Sequence, residues 1–200
     1  MKKLLFLILL FIFTHGNAIE LQSPLISGNE KPLLHIINQD QSAYIYVEND
    51  RHQKILLYKS NYPYPSHSVF SIDQLKGTDI LFINFECERK YTGCNRFFNW
   101  HTNKMSIVYS NMLDFNPKQK VVAYYIDKKN TVVIAPIFDA CKKPLTYYLR
   151  IFPDSSFGIK TQFLKNGDLQ LDYAEAQKGE DVLKIIQVNY QQLFDHCATG

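Results

Sequence analysis

From Leu33 onward the chain keeps returning to one pattern, a short run of β-branched or aromatic residues followed by a polar cluster carrying Asn, Asp, Gly or Lys. Such runs are strands, because branched and aromatic side chains pack well on a pleated surface and the polar clusters supply turns. The pattern predicts strands at Leu33–Asn38, Ala43–Glu48, Lys54–Lys59, Ile80–Phe85, Arg96–Trp100, Met105–Ser110, Lys120–Ile126, Thr131–Phe138, Thr146–Phe152, Phe157–Leu164, Asp168–Tyr173 and Val182–Val188. Many short strands at this spacing make the chain all-β, or at least β-dominated.

Two kinds of strand are distinguishable. Leu169, Leu171 and Tyr173 alternate with Asp168, Gln170 and Asp172, the period of two expected when one sheet face is buried and the other wet. Val121–Ile126 and Thr131–Ile134 are apolar at nearly every position, so this pair, joined by Asp127-Lys128-Lys129-Asn130, belongs in mid-sheet with both faces covered. Asn166-Gly167 marks a hairpin of the two-residue type I′ form. His101-Thr102-Asn103-Lys104 marks a third hairpin.

Strand after strand joined by short turns gives an antiparallel meander, as in a sandwich, a barrel or a set of propeller-like blades. A helix is expected only at Tyr190–His196, where Tyr190, Leu193 and Phe194 share one face. No Pro/Gly/Ser linker, nameable repeat or low-complexity run divides the chain, so residues 33–200 are read as a single disulfide-containing β domain, preceded by an extended lead-in over 19–32.

The first eighteen residues differ from everything after them. Met1-Lys2-Lys3 is a positive start, Leu4–Phe13 is unbroken apolar sequence, and Thr14–Ala18 is polar with small residues before Ile19. This is the build of a secretory signal peptide cut after Ala18, and the apolar run is well short of the roughly 20 residues that cross a bilayer. The expected location is periplasmic or secreted, with no membrane span after cleavage. Without Lys2 and Lys3 the formal charge falls from +3 to about +1, which gives no electrostatic footprint for nucleic acid.

Cys87, Cys94, Cys141 and Cys197 all follow the cut, and an even number in an exported chain implies disulfides. The preferred pairing is Cys87–Cys94, closed over Glu88–Gly93, which leaves Cys141–Cys197 to tie the C-terminal end back. By the loop-entropy model these are worth ~2.5 and ~4 kcal/mol. No CxxC, HxH or HExxH spacing points to a metal, and no cofactor fingerprint is present.

Catalytic signatures are equally missing. There is no Gly-x-Ser-x-Gly, and the eight glycines are scattered singly at turns rather than gathered to hold phosphate. Glu86 and Glu88 are a possible carboxylate pair beside Cys87, more simply read as a solvated edge. His35, inside an apolar strand, is read as a satisfied strand residue, and His101 as a polar turn residue.

Two segments stand out for recognition. Tyr58–His67 carries Tyr58, Tyr62, Tyr64 and His67 with Pro63 and Pro65; two X-Pro steps stiffen the loop, and tyrosines on a stiff loop give contact area at low entropy cost. Arg89, Lys90 and Tyr91 are displayed on the loop closed by the short disulfide. In broad layout alone, the chain resembles the small immunity and inhibitor proteins of bacterial envelopes, and no residue is carried over from them. The expectation is an exported binding or inhibitory protein whose partner is another protein of the envelope, with no cofactor and oligomeric state open. The alternative is an envelope hydrolase acting on glycan or peptide with carboxylates or histidines assembled by the fold.

Overall fold

The computed structural model describes residues 19–24, 32–64, 70–87, 93–139, 143–151, 158–176 and 179–198, with side chains omitted for 19–24 and 196–198. The signal peptide over 1–18 lies outside the described residues. The chain divides into two compact units, 1–68 and 69–200. Every sheet is antiparallel and its strand order follows the chain, so the fold is β-dominated, built of blade-like meanders, and no closed barrel occurs among the described residues.

The first unit holds one sheet, β1 (Ile19–Pro24), β2 (Leu33–Gln39), β3 (Ser42–Glu48) and β4 (Lys54–Ser60), in that order. The expected lead-in is thus itself a strand over Ile19–Pro24, paired to β2 from Ile19↔Asn38 to Pro24↔Leu33. Along β3, Ala43, Ile45 and Val47 are fully buried, while Tyr44, Tyr46 and Glu48 lie on the other face. A bulge opposite Ile45/Tyr46 admits Leu57 as an extra residue and turns it inward, 1% exposed.

The second unit holds three sheets. The first is β5 (Phe70–Gln74), β6 (Ile80–Glu86), β7 (Gly93–Asn99) and β8 (Lys104–Met105). The second contains β9 (Met112–Asn116), β10 (Val121–Ile126), β11 (Thr131–Pro136) and β12 (Leu145–Tyr148), and the third β13 (Lys160–Phe163), β14 (Leu169–Ala174) and β15 (Asp181–Ile186). Helix α1 (Tyr190–Ala198) follows and buries Leu193 completely.

The β10–β11 pair has a core on each face, as its sequence predicts. Val121, Ala123, Tyr125, Val132 and Ile134 join a cluster with Leu169 and Leu171 of β14, Ile186 of β15 and Leu193 of α1. Val122 and Tyr124 face the other way, toward Ile80 of β6, Phe97 of β7 and Tyr109. Phe97 is the hub of that second core, its ring centroid 5.3 Å from Phe82, 5.2 Å from Phe115 and 6.1 Å from Tyr109.

Three local expectations are corrected. The Asn166-Gly167 hairpin exists, but it is not type I′. Gly167 alone is left-handed, at φ +95°. Bonds from Gly167 N to Leu164 O and from Leu164 N to Asp168 O define a three-residue loop ending in a glycine bulge. Asn166 instead spends its side chain on the turn, its Oδ1 accepting from Asp168 N.

The strand expected over Met105–Ser110 is only two residues long as β8. Ser106 N bonds Phe97 O, and the next rung is Tyr109 with Asn95, so three steps on one strand oppose two on the other. This bulge turns Ile107 and Val108 outward, 61% and 41% exposed. Phe70–Gln74 and Met112–Asn116 are strands that the apolar-run criterion passed over, since each carries polar residues throughout.

Candidate functional site

Of the tyrosine segment, Tyr58 belongs to β4 and pairs with Ile45, so it is a half-buried strand residue rather than part of a loop. The chain leaves the strand at Ser60, whose buried hydroxyl accepts the N–H of Tyr62 at 3.1 Å. Asn38, at the end of β2, then holds the backbone of Tyr64 from both sides. Its Nδ2 donates to Tyr64 O at 2.7 Å and its Oδ1 accepts from Tyr64 N at 2.9 Å. One side-chain amide thereby does what a neighbouring strand would do, satisfying an N–H and a C=O together. Between these two anchors Tyr62 stands 52% exposed beside Pro63, while Tyr64 is half-buried. His67 lies outside the described residues.

Cys87 and Cys94 sit at disulfide distance, with Cα atoms 5.3 Å apart, closing the β6–β7 connection. Gly93 begins β7 close to the side chain of Asn84, which in turn donates to Asn95 Oδ1 at 2.9 Å. Glu86 is exposed beside the bridge. Glu88, Arg89, Lys90 and Tyr91 lie outside the described residues, as do Cys141 and the side chains of His196 and Cys197.

At the other end of the first sheet a carboxylate joins two histidines. His35, 2% exposed, has Nε2 3.2 Å from Glu48 Oε2, and exposed His52 has Nδ1 2.8 Å from Glu48 Oε1. Each oxygen serves one imidazole. His52 reaches Glu48 because its own backbone is left-handed, at φ +59°, in a turn where Asn49 Oδ1 accepts from both Arg51 N and Gln53 N. His35 is therefore satisfied by a carboxylate on the adjacent strand. Among the described residues no three His, Cys, Asp or Glu groups are placed to hold a metal ion.

The second unit carries a cleft of about 430 Å³ beside the β8 bulge, lined by Met105, Ile107, Tyr109, Tyr124, Ala135, Pro136, Ile137, Phe138 and Asp139. Tyr109 donates its hydroxyl to Ile137 O at 3.1 Å, and burial pushes its ionisation far above the ordinary tyrosine range. Burial also raises Tyr124, whose ring lies 5.4 Å from that of Tyr109. Lys104 Nζ and Asp139 Oδ1 pair at 3.1 Å across the rim, both largely exposed. The lining offers apolar contact and hydroxyls that stay protonated at neutral pH.

Sequence reasoning singled out Tyr62 and Tyr64 but missed Asn38, which holds the backbone of Tyr64. A polar residue before Gln39-Asp40-Gln41 signals a turn, and nothing local signals an anchor 26 positions away. It also missed the cleft, whose residues come from the end of one sheet and the edge of another. Comparison with protein-family models, characterised proteins and solved structures finds no match to the chain. Among the described residues no helix is long and apolar enough to cross a membrane.

Proposed function

We propose that the chain is an exported protein-binding module, an inhibitor or immunity protein of an oxidising envelope compartment, and that Tyr62 and Tyr64 lead its contact with a partner protein. The observation that carries this reading is the double hydrogen bond from the Asn38 amide to the backbone of Tyr64. A loop that merely connects two elements does not need both backbone groups of Tyr64 fixed two residues from a tyrosine that is 52% exposed. A recognition loop does, because each rotor frozen beforehand is entropy not lost on binding, and tyrosine combines apolar area with a hydrogen-bonding tip. The signal-peptide pattern of residues 1–18 and the Cys87–Cys94 bridge support export.

The test is capture from envelope extract by the exported, oxidised protein, followed by identification of the bound species and purified rebinding. Wild type should retain one discrete protein, and the pair Tyr62→Ala and Tyr64→Ala should weaken that complex at least about tenfold with an unchanged melting temperature. Asn38→Ala should weaken it by a smaller factor with the tyrosines intact. A complex indifferent to all three substitutions, or a loss of stability matching the loss of binding, would overturn the assignment.

A further inference from the structure

Among the described residues three of the four sheets have four strands, and the last, β13-β14-β15, has three. One side of β15 is occupied by β14, from Leu169↔Ile186 to Ala174↔Asp181. Among the described residues no strand lies along its other side. Where a fourth strand would follow, the chain turns into α1 and inserts Leu193 into the core instead. An open edge of this kind is a template for another chain unless its side chains forbid pairing.

The side chains of β15 do not forbid it. Val182 and Ile186 face the core, whereas Leu183 and Ile185 point to solvent, 65% and 55% exposed. Two large aliphatic side chains two residues apart on an open edge are apolar surface that a second chain can cover. The charges select what can cover them. Glu180 lies at the N-terminal end of the strand and Lys184 near its C-terminal end, both exposed. Reversing the direction of Glu180-Asp181-Val182-Leu183-Lys184 places acid opposite base.

We propose that β15 pairs with β15 of a second copy of this chain, antiparallel and centred on Val182, continuing the sheet across a two-fold axis. In that register Glu180 of each copy stands directly opposite Lys184 of the other, on the same sheet face, and the two Leu183 side chains meet on the diagonal across the opposite face. The competing register, centred on Lys184, joins Leu183 to Ile185 but sets the two lysines against each other. Lys184 therefore works as a register selector: it penalises one alignment and is neutralised in the other. This interface uses no part of the tyrosine turn, so it stands or falls separately from the proposed partner.

Sedimentation of the full, oxidised protein from about 1 to about 300 μM should show a monomer–dimer equilibrium that weakens with added salt. Either single reversal, Glu180→Lys or Lys184→Glu, acts twice in the symmetric dimer and should raise the dissociation constant at least about tenfold. The double reversal should return it to within about threefold of wild type, and Leu183→Asp should leave monomer at every concentration. All these positions are exposed, so melting temperatures measured at dilutions where every protein is monomeric should stay together and report intact folding. A protein that remains monomeric throughout the range, or a dimer insensitive to the single reversals, overturns the proposal.

Discussion

Two hairpins in the second unit both carry isoleucine and leave it in different surroundings. In β10–β11, residues of both parities are buried: Val121, Val122, Ala123, Val132 and Ile134 are all inaccessible to solvent. In β14–β15 one face is dry and the other wet, yet the wet face of β15 holds Leu183 and Ile185. Hydrophobicity alone does not separate Ile134 from Ile185. What separates them is whether a second sheet lies on that face. The difference teaches that an aliphatic side chain on the second face of a strand reports a covered face only where another layer lies on that face, and otherwise reports exposed apolar surface.

The sharpest way to break this comparison is to truncate one isoleucine in each hairpin. Ile134→Ala removes methylenes from a site walled by Leu169, Leu171 and their neighbours, and should cost about 3 kcal/mol in urea unfolding through lost transfer energy and the cavity left behind. Ile185→Ala, at dilutions where the chain is monomeric, should cost less than about 0.5 kcal/mol. Equal losses at the two positions would mean that β15 is covered by something within the chain.

A third hairpin, β6–β7, is held differently, because its connection is closed by Cys87–Cys94 rather than by packing alone. Replacing both cysteines with serine should cost about 2 kcal/mol, chiefly by freeing the unfolded chain. Since Ile80, Leu81, Ile83, Phe97 and Phe98 are buried by packing that does not include the bridge, the hairpin itself should persist without it, with far-ultraviolet circular dichroism unchanged below the transition.

The sequence made some of this visible and hid the rest for identifiable reasons. Val121–Ile126 and Thr131–Ile134 announced a two-sided core because no polar residue interrupts them. Leu169, Leu171 and Tyr173 announced a one-sided strand because Gln170 and Asp172 intervene. The bulge at Ile107-Val108 was hidden, since an extra residue changes which way side chains point without changing what they are. Asn38 was hidden because its partner is remote in sequence, and the shortened β8 and the three-strand sheet were hidden because strand length depends on what the neighbouring strand offers. Tyr62 was legible as a tyrosine beside proline; its exposure and its anchoring were not.

Two turns, one in each of these sheets, sharpen the contrast at smaller cost. Asn130 closes β10–β11 with a left-handed backbone, φ +46°, and its Oδ1 accepts from Tyr125 Oη at 2.9 Å. Gly167 closes β13–β14, the hairpin beside β14–β15 in the same sheet, at φ +95°, and a Cβ there would lie 3.0 Å from the Tyr190 ring. Gly167→Ala should therefore cost about 2 kcal/mol, from backbone strain plus displacement of Tyr190. Asn130→Gly should cost about 1 kcal/mol or less, because relief of the left-handed backbone offsets part of the lost hydrogen bond. If the glycine variant at Asn130 were the more damaging, the side-chain bond would outweigh the conformational argument at both turns.

Tyr190 gives the smallest and most specific effect. Its hydroxyl donates to Gly167 O, and burial, reinforced by the nearby Asp168 carboxylate, pushes its ionisation from 10.0 up to about 12. A folded-state value raised above the unfolded one means that the native chain holds a proton the unfolded chain has already released. Stability from this group is complete below pH 10 and is lost as pH rises through about 12. Tyr190→Phe should lower stability slightly at neutral pH through the lost hydrogen bond, while making the decline across that alkaline window shallower. The decline should not vanish, because buried Tyr109 is raised as well and lies in the other core of the same unit. Urea midpoints measured for both proteins at half-unit pH steps should converge at the alkaline end; parallel curves would place the Tyr190 hydroxyl in water, away from the Gly167 turn.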